Sequence, residues 1–150
     1  MQILTKIIND HSISLIDVII NNNESDTEND FNNFSKIWKQ FYLDKTHFIF
    51  RIDTTYLSKP NITYCYKLAM LIREFKDNDI QYLKYSIMVI PNHYIRSLLN
   101  LIMKIQKPIA TIYVTKNTVE AENIYNYKQL DDSVFLETFI LINNVNVIES

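Results

Sequence analysis

Not one of the 150 residues is glycine. Glycine is the residue that adopts positive φ without steric cost and lets a backbone come close to a phosphate. Without it the chain cannot build a P-loop, a G-x-G-x-x-G dinucleotide fingerprint or a G-x-S-x-G nucleophile elbow. Any turn that needs positive φ must use Asn or Asp, which tolerate it next best, and Asn is abundant here. Heavy use of Asn, Ile, Lys and Tyr with no Gly is what AT-rich coding produces.

Hydrophobic residues make up 47% of the chain and charged residues 21%, values that fit a single domain with a real core over 1–150. A net charge of −2 leaves no basic surplus for a phosphate backbone, so no nucleic-acid partner is expected. The lone Cys65 excludes an internal disulfide and a thiolate zinc cage, which suits a reduced, cytoplasmic protein. Asp10, His11 and Asp17 interrupt the apolar N-terminus, so neither a signal peptide nor a membrane span is expected.

Periodicity orders the chain as a β-hairpin, an extra helix and a series of β-α units. Met1 to Ile8 and Ser12 to Ile20 read as two strands turning at Asn9-Asp10-His11, giving a hairpin over 1–20. The polar stretch 21–29 reads as an exposed loop and the best candidate for disorder. Phe31, Phe34, Trp38 and Phe41 then recur at helical spacing, which predicts a helix from about Glu28 to Leu43, capped by Asp26 or Thr27, with a core-facing aromatic stripe.

Core β-α units follow over 48–130. Phe48 to Ile52 is nearly all apolar, as a central strand buried on both faces requires. Pro60 suits the first turn of a helix whose stripe is Cys65, Leu68, Ala69, Ile72 and Phe75. Tyr85 to Ile90 reads as the next strand, with Ile95, Leu98, Leu99 and Ile102 as the stripe of its helix. Ile109 to Thr115 reads as a third strand, followed by a helix capped by Asn117 and Glu120 and running to about Leu130. Val134 to Ile142 fits either a terminal helix or a late strand, with the helix preferred.

The order of elements resembles the STAS family of bacterial anti-sigma-factor antagonists and sulfate-transporter tails. Four places carry the resemblance: Phe50-Arg-Ile-Asp53-Thr-Thr, Asn61-Ile-Thr63, Tyr94-Ile-Arg-Ser-Leu-Leu99 and Val119-Glu-Ala121, together covering about Phe48 to Gln129. The helix with Trp38 lies outside the compact family pattern. The resemblance implies a mixed α/β sheet, mainly parallel in its C-terminal units, and a regulatory module that binds another protein. It also implies a switch serine in an Asp-Ser-Ser-Gly loop. Asn61 falls at the Asp, Ile62 and Thr63 at the two serines and Tyr64 at the glycine, so Thr63 alone keeps a hydroxyl and is the phosphorylation candidate.

The expected partner surface is Asp53, Tyr56, Asn61, Thr63, Tyr64, Asn92, His93 and Arg96. Asp53 is the strongest single catalytic candidate, because α/β sheets place working residues at the carboxyl ends of their strands. A turn-forming carboxylate is the plainer role for it. His11, His47 and His93 do not share metal-ligand spacing, and Cys65 sits on an apolar stripe, so no metal, cofactor or catalytic residue is expected. Tyr56, Tyr64, Tyr66, Tyr82, Tyr85 and Tyr94 are read as crowding the same sheet edge as Asp53. The alternatives to a protein-binding module are a lipid or nucleotide binder at that edge, a small hydrolase or transferase using Asp53 and His93, and a structural subunit of a larger assembly.

Overall fold

A computed structural model describes residues 1–150. Strands β1 (Gln2–Ile8) and β2 (Ser14–Asn21) form the expected antiparallel hairpin, with Ile3 opposite Ile20. Its connection is held where Ser14 Oγ donates to Asn9 Oδ1 at 2.7 Å. The segment read as a loop over 21–29 is shorter and anchored, because helix α1 (Thr27–Leu43) already starts at Thr27. Asp26 caps it by accepting from Asn29 N–H, and Asn22 Oδ1 accepts from the backbone N–H groups of Ser58 and Lys59. The Asp26 carboxylate and the Asn22 amide oxygen, the latter accepting from two backbone N–H groups at once, order a stretch that composition alone marks as loose.

Strand β3 (Phe48–Asp53), helix α2 (Ile62–Phe75), strand β4 (Leu83–Val89), helix α3 (His93–Ile105) and strand β5 (Ile112–Thr115) make the expected β-α units. Helix α4 (Thr118–Gln129), helix α5 (Ser133–Asn143) and strand β6 (Asn146–Ile148) complete the chain. The six strands lie in sequence order, parallel from β2 to β5 and antiparallel at both edges. The mixed α/β class with mainly parallel later units therefore holds. Strand β6 was not anticipated. Asn144 ends α5 at φ 50°, Val145 is buried, and three residues then return along β5.

Consecutive right-handed crossovers that each advance one strand place α1, α2 and α3 on one face. There Phe34, Trp38, Ile72, Phe75 and Leu99 pack on Ile16, Val18, Phe50, Ile52 and Met88. The step from β5 to β6 is not a parallel crossover, and α4 and α5 cover the opposite face, where Ala121, Ile124 and Leu136 meet Ile49, Ile87 and Val89. Arg51 ties α4 to that face, its Nε 3.1 Å from Asp17 Oδ1 and its Nη1 3.2 Å from Glu122 Oε2.

Positive φ falls on Lys45, Asp131 and Asn144. Two of these are the Asn and Asp that a chain without glycine should use. The third is a lysine. Lys45 follows the end of α1, where the N–H of Thr46 reaches back to the carbonyl of Phe41, so the geometry of the helix end is imposed on a residue that disfavours it by about 1–2 kcal/mol.

Candidate functional site

Parallel strands β2 to β5 end on one edge of the sheet, and each of the helices α2, α3 and α4 begins there. Three asparagines cap these helix starts. Asn61 Oδ1 accepts from Thr63 N–H at 3.0 Å, Asn92 Oδ1 from Tyr94 N–H at 2.8 Å, and Asn117 Oδ1 from Glu120 N–H at 2.9 Å. Each cap satisfies a helix amide that would otherwise lack a partner. Glu120 in turn accepts from Lys116 N–H at 2.9 Å, so the expected start of α4 is closed from both sides.

Asp53 takes the plainer of its two roles. Its Oδ1 accepts from Thr55 N–H at 2.9 Å and from the Thr55 hydroxyl, which folds the chain into a turn. Thr54 is buried, and its hydroxyl donates to the Val89 carbonyl at 2.8 Å, pinning the loop to the end of β4. Arg96 is half-buried and its Nη2 donates to the Ile90 carbonyl at 2.9 Å. Asp53, Asn61 and Asn92 are thus occupied within the fold, and Arg96 is held through Nη2 while its buried Nε has no partner, so these four shape the edge rather than project from it.

Tyr64 also packs inward. Its ring lies 5.5 Å from that of Phe31 in α1, with Lys67 Nζ 4.8 Å from its centroid. Tyr56, Thr63 and His93 remain exposed. Tyr66 and Tyr94, expected at this edge, are each more than half exposed there, and Ile62 joins them with a similar exposure. Tyr66 falls off the apolar stripe of α2 and Tyr94 precedes that of α3, whereas Ile62 has stripe spacing to Cys65 and Ala69 and is exposed as the first residue of α2.

Two of the tyrosines assigned to this edge belong elsewhere. Tyr82 precedes β4 at the opposite edge, since Leu83 pairs with Phe48 at the start of β3, and its ring meets Tyr42 at 5.5 Å and His47 at 5.2 Å. Tyr85 is buried on the α4 face, 6.0 Å from Tyr113 and beneath Lys128 Nζ. Parallel strands put both ends of each segment near turns, and sequence proximity to a turn does not say which edge it occupies.

No group of three or more His, Cys, Asp or Glu side chains is placed to hold a metal ion. Cys65 is half-buried at the start of α2, and burial pushes its thiol pKa up, the opposite of what a nucleophile needs. No helix is long and apolar enough to cross a membrane. The chain is thus a mixed α/β protein with a parallel core and an edge of capped helix starts bearing exposed aromatic and aliphatic side chains. No family model, curated protein or solved structure matches it.

Proposed function

We propose that the chain is a non-catalytic regulatory or scaffolding module that binds another protein through the carboxyl edge of its sheet. The observation that carries this reading is the row of large exposed side chains there: Tyr56, 74% exposed, with Ile62, Tyr66 and Tyr94 around the starts of α2 and α3. Tyrosine and aliphatic side chains on an edge whose helix-start amides are capped by Asn61, Asn92 and Asn117 are what a binding hot spot uses, because desolvating them leaves those capped amides paired. The surface keeps Tyr56, Thr63 and His93, takes in Tyr66 and Tyr94, which the sequence already placed at this edge, and gains Ile62. The order of β-α units from Phe48 to Gln129, similar to that of a STAS domain, supports an intracellular regulatory role of that type.

Thr63 is the candidate for control. It is the second residue of α2 and exposed, so a phosphate there would add nearly two negative charges where the helix dipole favours them. The test is quantitative capture of partners with wild-type protein and with a Tyr56→Ala, Tyr94→Ala double variant. Affinity is expected to fall by roughly 2 kcal/mol or more in the variant. Equal capture by both proteins contradicts the reading. A Thr63→Glu protein that binds like wild type removes the switch and leaves the surface.

A second reading, a subunit of a larger assembly, is favoured by α5, which exposes Val134, Phe135, Leu141 and Ile142. Light scattering over a concentration series distinguishes it, since a self-assembling chain gains mass with concentration.

A further inference from the structure

Between the sheet and helices α1 to α3 lies a cavity of about 110 Å³ whose lining includes Ile3, Phe31, Ile52, Cys65, Leu68 and Ile95. A second cavity of about 50 Å³ adjoins it, shares Phe34, Ile52, Leu68, Met88 and Leu99, and continues past Trp38 toward Pro108. We infer that the two form one elongated site for an aliphatic chain. The site lies beneath the proposed partner surface, and neither proposal depends on the other.

Three observations argue for this ligand. The first is chemistry: 17 of the 19 residues lining the larger cavity are hydrophobic. The hydroxyl of its Thr54 is already donated to the Val89 carbonyl. A nucleotide or sugar would leave its polar groups unpaired there, whereas a hydrocarbon loses nothing on entry. The second is continuity. Phe34, Ile52, Leu68, Met88 and Leu99 line both cavities, so the apolar space continues past them from the outer cavity to the inner one, as a chain too long for either alone requires.

The third is access. Lining residues that keep some exposure, including Met1, Ile20, Pro60 and Tyr64, gather at the carboxyl edge and set the mouth there. An apolar cavity of about 150 Å³ buried in a protein core stays dry and accepts a small hydrocarbon. Here the head group of a single-tailed amphiphile stays in water while its tail enters. Met1, Ile3, Val18 and Ile20 come from the hairpin segment and Phe31 and Phe34 from α1, so the hairpin and extra helix build about a third of the wall, six of its 19 residues.

Two native reporters lie in the walls. Trp38, the only tryptophan, lines the inner cavity, and Cys65, the only cysteine, lines the outer one. The experiment titrates the full chain with straight-chain carboxylic acids and the matching alcohols, kept below their micelle concentrations. It follows Trp38 emission and the rate of Cys65 alkylation by iodoacetamide. Affinity is expected to rise about fourfold per added methylene and then to level off once the cavities are filled, equally for acid and alcohol. At about ten times Kd, Cys65 alkylation is expected to slow by about tenfold.

Leu68→Phe narrows the passage between the cavities and is expected to weaken binding by about tenfold or more. Should that variant lose its native circular dichroism, Leu98→Phe, at the half-exposed outer wall, takes its place. Any of four results overturns the site: no response of either reporter along the series, affinity that climbs without levelling, binding by acids alone, or wild-type affinity in a folded wall variant.

Discussion

Helices α1 and α5 show how differently one sheet treats two apolar segments. α1 carries acids, amides and lysines among its aromatic residues, yet Phe34 and Trp38 are buried and Trp38 stacks on Phe75 at 4.7 Å. α5 is apolar at seven of its eleven positions, Ser-Val-Phe-Leu-Glu-Thr-Phe-Ile-Leu-Ile-Asn, yet only Leu136 is buried and Leu141 stays 78% exposed. Topology explains the difference. α1 bridges two parallel strands and must lie across the sheet, while α5 follows α4 on the other face and leans on it through Tyr127, whose ring stacks on Phe135. Apolar content supplies the tendency to bury, and the crossover decides which helix has something to bury against.

Truncating the two helices breaks this comparison most strongly at α1. Trp38→Ala is expected to lower unfolding stability by about 3–5 kcal/mol, measured by urea denaturation. A loss below about 1 kcal/mol would mean that α1 is not part of the core.

Alkaline pH sharpens the comparison from the other side. Burial raises the pKa values of Tyr85, Tyr113 and Tyr125 on the α4 and α5 face, and of Tyr42 on the α1 face. Each is raised above its ordinary value of 10.0, so the stability it contributes is complete below that pH and is lost as pH climbs through the folded-state value. Three of the four lie on the α4 and α5 face. Hydrogen exchange above pH 10 is therefore expected to show α4 and α5 opening before α1, and simultaneous opening would contradict this.

Leu136→Ala, at the one buried position of α5, is expected to cost about 2–3 kcal/mol by the same denaturation. At the end of α1, Lys45→Gly is expected to stabilise the protein by up to about 1 kcal/mol, since glycine accepts φ 54° without strain. Smallest of all, Leu141→Ser is expected to change stability by less than about 0.5 kcal/mol, since its side chain is already in water. If Leu141→Ser also lowers the molecular mass seen by light scattering, α5 is an assembly surface.

Much of this architecture was legible from spacing. The stripe Phe31, Phe34, Trp38, Phe41 located α1 within a residue, and the nearly unbroken apolar run at Phe48 located the central strand, because burial on both faces leaves no room for a polar alternation. Asn117 with Glu120 announced the start of α4. What escaped depends on partners distant in sequence. The ordering of Asn22 comes from the backbone at Ser58 and Lys59, and β6 exists only because β5 offers it an edge. Tyr64 and Tyr85 look alike as residues near turns, yet one packs on α1 and the other lies under Lys128, and only register separates them from the exposed Tyr56. The surface was legible as a region and illegible side chain by side chain.

The contrast between the carboxyl edge and α5 can be settled by one measurement, photo-crosslinking in cell extract with a benzophenone-bearing phenylalanine placed at Tyr56 in one protein and at Leu141 in another. A discrete protein adduct from position 56, competed by unlabelled wild type and absent from position 141, is the expected result. An adduct from position 141 with none from position 56 would contradict a partner surface at the carboxyl edge.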